Sequence, residues 1–175
     1  QPGMRPRALY ERFNIEAIST TDAATDSLAV HDAIKASGWH GRVVPAYRPD
    51  AVVDPSRKGF HAEVERFLAM TGQPATYAGY LEAHRIRRAY FKERGATSTD
   101  HGHPSARTAD LSKTEAAALF GCVLKTGVSA KDADLFRAQM LTEMARMSVE
   151  DGLVMQIHPG SFRNHNPQLF TAFGF

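Results

Sequence analysis

Four short apolar stretches, each closing on polar side chains, alternate with longer stretches of helical character, and this alternation limits the fold more than any other feature of the sequence. They are residues 14–20 (NIEAIST), running into Thr21 and Asp22; 42–47 (RVVPAY), running into Arg48, Pro49 and Asp50; 96–99 (ATST), leading to Asp100, His101 and Gly102; and 153–157 (LVMQI), ending at His158. Strands that alternate with helices pair in parallel, because a parallel pair needs a long crossover and a helix supplies it. The predicted class is therefore α/β. An open doubly wound sheet and a closed barrel both place function at the carboxyl ends of the strands, where all four polar endings lie. No glycine-rich turn of the GxGxxG or GxxxxGK type follows any of these strands, which favours the barrel over a nucleotide-binding sheet.

The intervening stretches carry helix signals. Pro6 suits a first helical turn, where its missing N–H costs nothing, and Leu9 and Phe13 then share a face. Phe60, Val64, Phe67, Leu68 and Thr71 recur at helical spacing and Gly72 marks the stop. Ser112 with Glu115, and Ser129 with Asp132, read as N-terminal caps. Phe136, Met140, Met144 and Met147 then step along one face as a packing stripe. The basic group Arg85, Arg87, Arg88, Lys92 and Arg94 reads as a solvated helix face.

Four parallel strands cannot close a barrel, and an isolated half would leave two edges open. The stretch after the fourth strand carries Phe162, Phe170, Phe173 and Phe175 with too little chain to fold a covering helix and bury them. The expectation is about half of a TIM-type (β/α)₈ barrel, residues 1–175 being a central segment of a longer chain; a partner supplying the rest is the alternative.

Composition excludes several classes. Twenty-one Lys and Arg against nineteen Asp and Glu leave a net charge of +2, too small to draw nucleic acid or a membrane through its field. The apolar runs, such as residues 116–122, fall far short of the roughly 20 residues that cross a bilayer. Cys122 is the single cysteine, which fits a reducing compartment, and the cytoplasm is the expected location. Self-association into a homo-oligomer is compatible with all of this.

Chemistry gathers at the strand ends. Pro49 biases Arg48 towards an extended conformation that points it over its strand end, and a planar guanidinium suits a carboxylate or phosphate. An ion pair with Asp50 is the structural alternative. His158, held by Pro159 and Gly160, stands with Arg163 and Asn164 as a cluster suited to an anionic, hydroxyl-rich ligand. Asp100 reads as an orienting acid. His101 and His103 form an HxH pair that could bind a metal on an extended strand, but Gly102 and Pro104 indicate that the chain has already turned. His31, His40, His61, His84 and His165 lack any such company and read as surface or packing residues.

In RFNIEAISTTD (residues 12–22), VVPAYRPD (43–50), TDHG (99–102) and MQIHPGSFRNHN (155–166), the sequence resembles the uronate isomerases of the amidohydrolase superfamily. The resemblance spans essentially the whole chain. It implies interconversion of aldose and ketose hexuronates, D-glucuronate with D-fructuronate and D-galacturonate with D-tagaturonate, by proton transfer between C2 and C1 through a cis-enediol. It places Arg48 and Arg163 on substrate oxygens or carboxylate, His158 at a polarised or proton-sharing oxygen, and Asp100 in an orienting role. The family's paired histidines on its first barrel strand and its acid on the last, which hold zinc or a similar divalent ion where one is bound, have no counterpart here. No metal ligand is therefore assigned within these residues, the main proton carrier is expected elsewhere, and the chain alone is expected to be inactive. Two other readings stand beside this one: a metal-dependent hydrolase on the same barrel, and a non-catalytic sugar-acid binding module.

Overall fold

Four parallel strands, Ala17–Ala23 (β1), Arg42–Arg48 (β2), Ser98–His101 (β3) and Val154–Ile157 (β4), form one sheet in the order β1-β2-β3-β4. The computed structural model describes residues 2–125, 127–160 and 165–174. The α/β expectation holds, with neighbouring strands joined by helices: Pro6–Arg12 (α1) before β1, Ala29–Ala36 (α2) between β1 and β2, and Asp50–Val53 (α3), Phe60–Thr71 (α4) and Tyr77–Glu93 (α5) between β2 and β3. Lys113–Val123 (α6) and Ala130–Asp151 (α7) lead to β4, and Pro167–Phe173 (α8) follows it. Among the described residues no helix is long and apolar enough to cross a membrane.

Two strand boundaries differ from the sequence reading. β1 begins three residues after Asn14, because Asn14 adopts a left-handed conformation (φ 50°) and the Asn14 and Ile15 amides donate to the Glu11 and Tyr10 carbonyls of α1. Backbone groups spent on ending a helix are not free for a ladder. β3 begins two residues late for the same reason: the Ala96 amide closes α5 by donating to Phe91. Asp100 and His101 therefore lie within the strand rather than beyond it.

The core lies between the sheet and α3 to α7. Phe60, Val64, Phe67 and Leu68 are buried along α4, which stops at Gly72 with φ 66°, and the stripe Phe136, Met140, Met144 and Met147 is buried along α7. Ser112 and Glu115 form a reciprocal capping box on α6, and Ser129 caps α7 by accepting from the Asp132 amide. On α1, however, the buried aromatic is Tyr10, whose hydroxyl donates to the Glu16 carbonyl and accepts from the Arg42 amide. Phe13 is exposed. Beyond β4 a short helix does form, capped by Asn166, but it buries none of its residues, and Phe170 and Phe173 remain exposed. Phe162 and Phe175 lie outside the described residues.

The basic group on α5 is not the solvated face that its spacing predicts. Arg88 is 1% exposed and forks onto Asp151, Nε to Oδ2 at 2.6 Å and Nη2 to Oδ1 at 3.0 Å, with Ser148 at 2.9 Å. Burial pushes the Asp151 carboxyl up, but the hydrogen bonds from Arg88 and the Leu153 amide, with the charges of Arg88 and Lys92, together hold the group below the usual carboxylate value. Arg87 is buried and donates from Nε to the Ala24 carbonyl at 2.9 Å, tying α5 to the loop after β1. Lys92 is exposed as expected, and Arg85 reaches outward to pair with exposed Glu150. Arg88→Met leaves Asp151 without its partner and is expected to cost about 3 kcal/mol of unfolding free energy, whereas Arg85→Ala costs less than about 1 kcal/mol; equal losses in denaturant titrations would refute this assignment.

Candidate active site

The carboxyl ends of β2, β3 and β4 converge on one chain of charges. Register pairs Ala23 with Arg48 and Asp100 with Gln156, and the Tyr47–Thr99 pair puts Arg48 beside Asp100 one step on. Side chains alternate along a strand, so Thr21, Arg48, Asp100 and His158 share one face. Tyr47, Thr99, His101 and Met155 share the other, towards the helices.

Arg48 donates from Nε to Asp50 Oδ2 at 2.7 Å, and its Nη1 lies 3.2 Å from Asp100 Oδ2. The second oxygen of Asp100 meets His158 Nε2 at 2.8 Å. A carboxylate only accepts, so the neutral imidazole carries its proton on Nε2 and leaves Nδ1 as the acceptor. The ion pair with Asp50 expected as the structural alternative for Arg48 is present, and the guanidinium also reaches Asp100 on the next strand. The two acids are the least exposed members, at 9% for the Asp50 side chain and 13% for Asp100, against 28% for Arg48 and 42% for His158. Arg163 lies outside the described residues.

Asp50 is the residue whose importance the sequence understates. It opens α3 immediately after Pro49, and its Oδ1 accepts from the Gly102 amide at 3.1 Å, which locks the turn after β3 onto α3. Its Arg-Pro-Asp context signals an ion pair, but the distant amide partner leaves no local trace. Gly102 packs closely against this pair: a Cβ there would lie 2.4 Å from Arg48 Nη2 and 2.6 Å from Asp50 Oδ2, so one of those side chains would have to shift. A cavity of about 600 Å³ opens beside this cluster, lined by Thr21, Ala23, Arg48, Asp50, Ala51, Arg57 and Gly102. Asp100 and His158 stand one and two strands further along the sheet.

Behind the site, on the helix-facing side, lies a buried polar layer. The Tyr47 hydroxyl sits 2.7 Å from His84 Nδ1, and Thr99 Oγ1 sits 2.9 Å from His101 Nε2. Burial, with a contribution from Arg88, holds His84 well below its ordinary value; burial pushes the Tyr47 hydroxyl well above its own, with Arg88 and Arg87 pulling the other way. His101 is pushed down to about 3, chiefly by burial and then by His103, with Asp50 pulling the other way. His103 is also lowered by burial. The His101 and His103 rings are 5.9 Å apart and His101 turns towards the helices, so the pair does not converge on the cavity. Among the described residues no group of three or more His, Cys, Asp or Glu could hold a metal. These side chains therefore do not, by themselves, fit a divalent ion. The packing role predicted for His84 holds; His31, by contrast, bonds through Nε2 to Thr20 Oγ1 at 2.8 Å beside Asp22.

A singly wound parallel sheet with helices against one face and a chain of charged side chains at its carboxyl edge defines an α/β protein. The chain belongs to the glucuronate isomerase family, whose model matches residues 1–175. It is 68% identical over 174 residues to a uronate isomerase of Brucella canis and 63% identical to one of Phenylobacterium zucineum, covering 99% of this chain in both cases. A crystal structure of glucuronate isomerase from Caulobacter crescentus superposes with a TM-score of 0.89 at 56% identity, covering 98% of this chain and 36% of that one. A uronate isomerase from Thermotoga maritima, at 24% identity and a TM-score of 0.88, shares the fold. The chain spans 37% of the length of the Brucella relative and 36% of the Phenylobacterium one.

Two outcomes follow from the geometry. A crystal structure of Gly102→Ala is expected to show Arg48 or Asp50 displaced and their 2.7 Å contact opened; an undisturbed contact would contradict the packing argument. The second concerns pH. His84 and His101 are neutral in the fold, whereas each binds a proton in the unfolded chain below its ordinary value of 6.5. The unfolded state then holds more protons, so stability is complete above pH 6.5 and declines below it, by about 2 kcal/mol at pH 5 for His101 alone. The thermal midpoint is expected to fall from neutral pH towards pH 5, less steeply in His101→Gln; parallel curves for the two proteins would overturn the assignment.

Proposed function

We propose that the chain forms the substrate-gripping half of a TIM-type (β/α)₈ barrel of the amidohydrolase superfamily, within a protein that interconverts aldose and ketose hexuronates. The observation that carries this reading is the Arg48–Asp100–His158 chain at the carboxyl edge of a family member's sheet. Two features support the barrel. The strand order runs sequentially without the reversal that marks an open doubly wound sheet, and the helices pack against one face, leaving Thr21, Gln156 and His158 exposed on the other.

The reaction moves a proton from C2 of the aldose to C1 of the ketose through a cis-enediol, with D-glucuronate and D-galacturonate as the aldose substrates. It needs donors on the two oxygens and a general base. In this reading Arg48 and Arg163 donate to substrate oxygens or carboxylate. His158, with its tautomer fixed by Asp100, shares a proton at an oxygen through the outward Nδ1. Asp100 orients both Arg48 and His158. The principal proton carrier and the ligands of a divalent ion such as zinc belong to parts of the protein beyond these 175 residues. Neither a metal-dependent hydrolase nor a non-catalytic sugar-acid module is favoured by the relatives, which carry the name uronate isomerase.

Full-length protein is expected to convert D-glucuronate to its ketose, and Arg163→Met to lower kcat/KM about a hundredfold with the fold intact, the scale of losing one donor to developing charge. Near-normal kcat/KM in that variant would sink the role given to Arg163. Hexuronate binding without turnover by the full-length wild type would instead favour the binding module.

A further inference from the structure

Charge accounting in the strand-end cavity singles out a residue to which no role has yet been given. Arg48 lines the cavity, but its guanidinium is already engaged by two carboxylates, Asp50 at 2.7 Å and Asp100 at 3.2 Å. Taken together, these three side chains sum to one negative charge. A sugar acid entering the cavity would meet that surplus, and like charges in a partly desolvated site repel.

Arg57 offsets that surplus. It lines the same cavity, and among the described residues its side chain makes no ion pair or hydrogen bond with any other. It is the remaining basic group in the lining, which otherwise comprises Thr21, Ala23, Asp50, Ala51 and Gly102. Its backbone is held on both sides: the Arg57 amide donates to the Asp54 carbonyl at 3.1 Å, and the Phe60 amide donates to the Arg57 carbonyl at 3.2 Å. Asp54 is in turn fixed by Arg137 Nη1 at 2.8 Å and by the Ser56 amide at 3.1 Å. The turn between α3 and α4 is thus tied to α7, while the guanidinium at its tip has no partner among the described residues. A cation whose backbone is anchored and whose charge is unspent is placed to recognise an anion.

We infer that Arg57 is a specificity-determining residue, supplying the positive charge that draws and holds the carboxylate of a sugar acid in the strand-end cavity. Arg48, saturated by its two acids, is left to serve the neutral oxygens of the sugar. The inference rests on the hexuronate reading and deepens it. Arg57 takes no part in proton transfer, so its removal weakens binding and leaves the chemical step alone.

The test uses full-length protein with D-glucuronate as the probe, comparing wild type, Arg57→Met and Arg57→Lys. Arg57→Met is expected to raise KM about tenfold, the scale of one charge-assisted hydrogen bond, with kcat within about twofold of wild type. It is also expected to flatten the fall of kcat/KM with rising ionic strength, because that fall reports attraction between charges. Arg57→Lys keeps the charge and restores most of the salt dependence. An unchanged KM and salt dependence in Arg57→Met, or a loss confined to kcat, would overturn the inference while leaving the hexuronate reading standing. Absence of turnover in the wild type would overturn both.

Discussion

The placement of Arg48 between two carboxylates is the interaction on which the rest of the site depends. Asp50 and Asp100 come from different elements, α3 and β3, and both side chains are largely out of solvent. Two such anions brought together would repel, and one of them would have to take up a proton or move towards water. The guanidinium between them removes that conflict and turns it into a joint. Through Asp50 the joint reaches the Gly102 amide and fixes the turn after β3. Through Asp100 it reaches His158 at the end of β4 and sets which imidazole nitrogen is protonated. Three strand ends are therefore aligned by charge as well as by the backbone ladder.

The two-residue alternation of a strand keeps this chemistry apart from the packing behind it. Arg48 faces the cavity, while its neighbour Tyr47 is fully buried against His84 and Phe91 of α5. Asp100 reaches Arg48 and His158, while His101 is buried and neutral among the helices. Several groups in this layer are short of partners: His84 Nε2, His101 Nδ1 and one nitrogen of Arg88 are enclosed without a hydrogen bond from the described residues. Such a layer is costly to assemble and tolerates few alternative arrangements.

Much of this was legible in the sequence because it depends on local rules. The Ser112–Glu115 cap, the Gly72 stop and the Met140, Met144 and Met147 stripe each follow from spacing of three or four residues. Arg48, Asp100 and His158 were recognisable because each ends an apolar run and so must lie at a strand's carboxyl edge. What escaped detection depends on partners far away in the chain. Arg88 looks solvated by composition, and only Asp151, sixty-three residues on, makes its burial affordable. The boundaries of β1 and β3 moved because Asn14 and Ala96 spend their amides on the preceding helices, a competition that hydrophobic pattern alone does not register. Arg57 gave no signal, since what sets it apart is that no acid among the described residues pairs with it, whereas Arg48 has two.

Helix α7 is fastened at both ends to different levels of the molecule. Near its start Arg137 holds Asp54, beneath the turn that carries Arg57, and at its end Asp151 holds Arg88 before the chain enters β4. Between those anchors each residue advances the helix by about 1.5 Å and turns it by about 100°. A single inserted or deleted residue there would rotate one anchor away from its partner and swing the methionine stripe out of the core. The length of α7 is therefore as constrained as its composition, and the stretch before α6 must keep step with it, because the Ala109 amide donates to the Ala138 carbonyl and the Leu111 amide to the Gln139 side chain of α7.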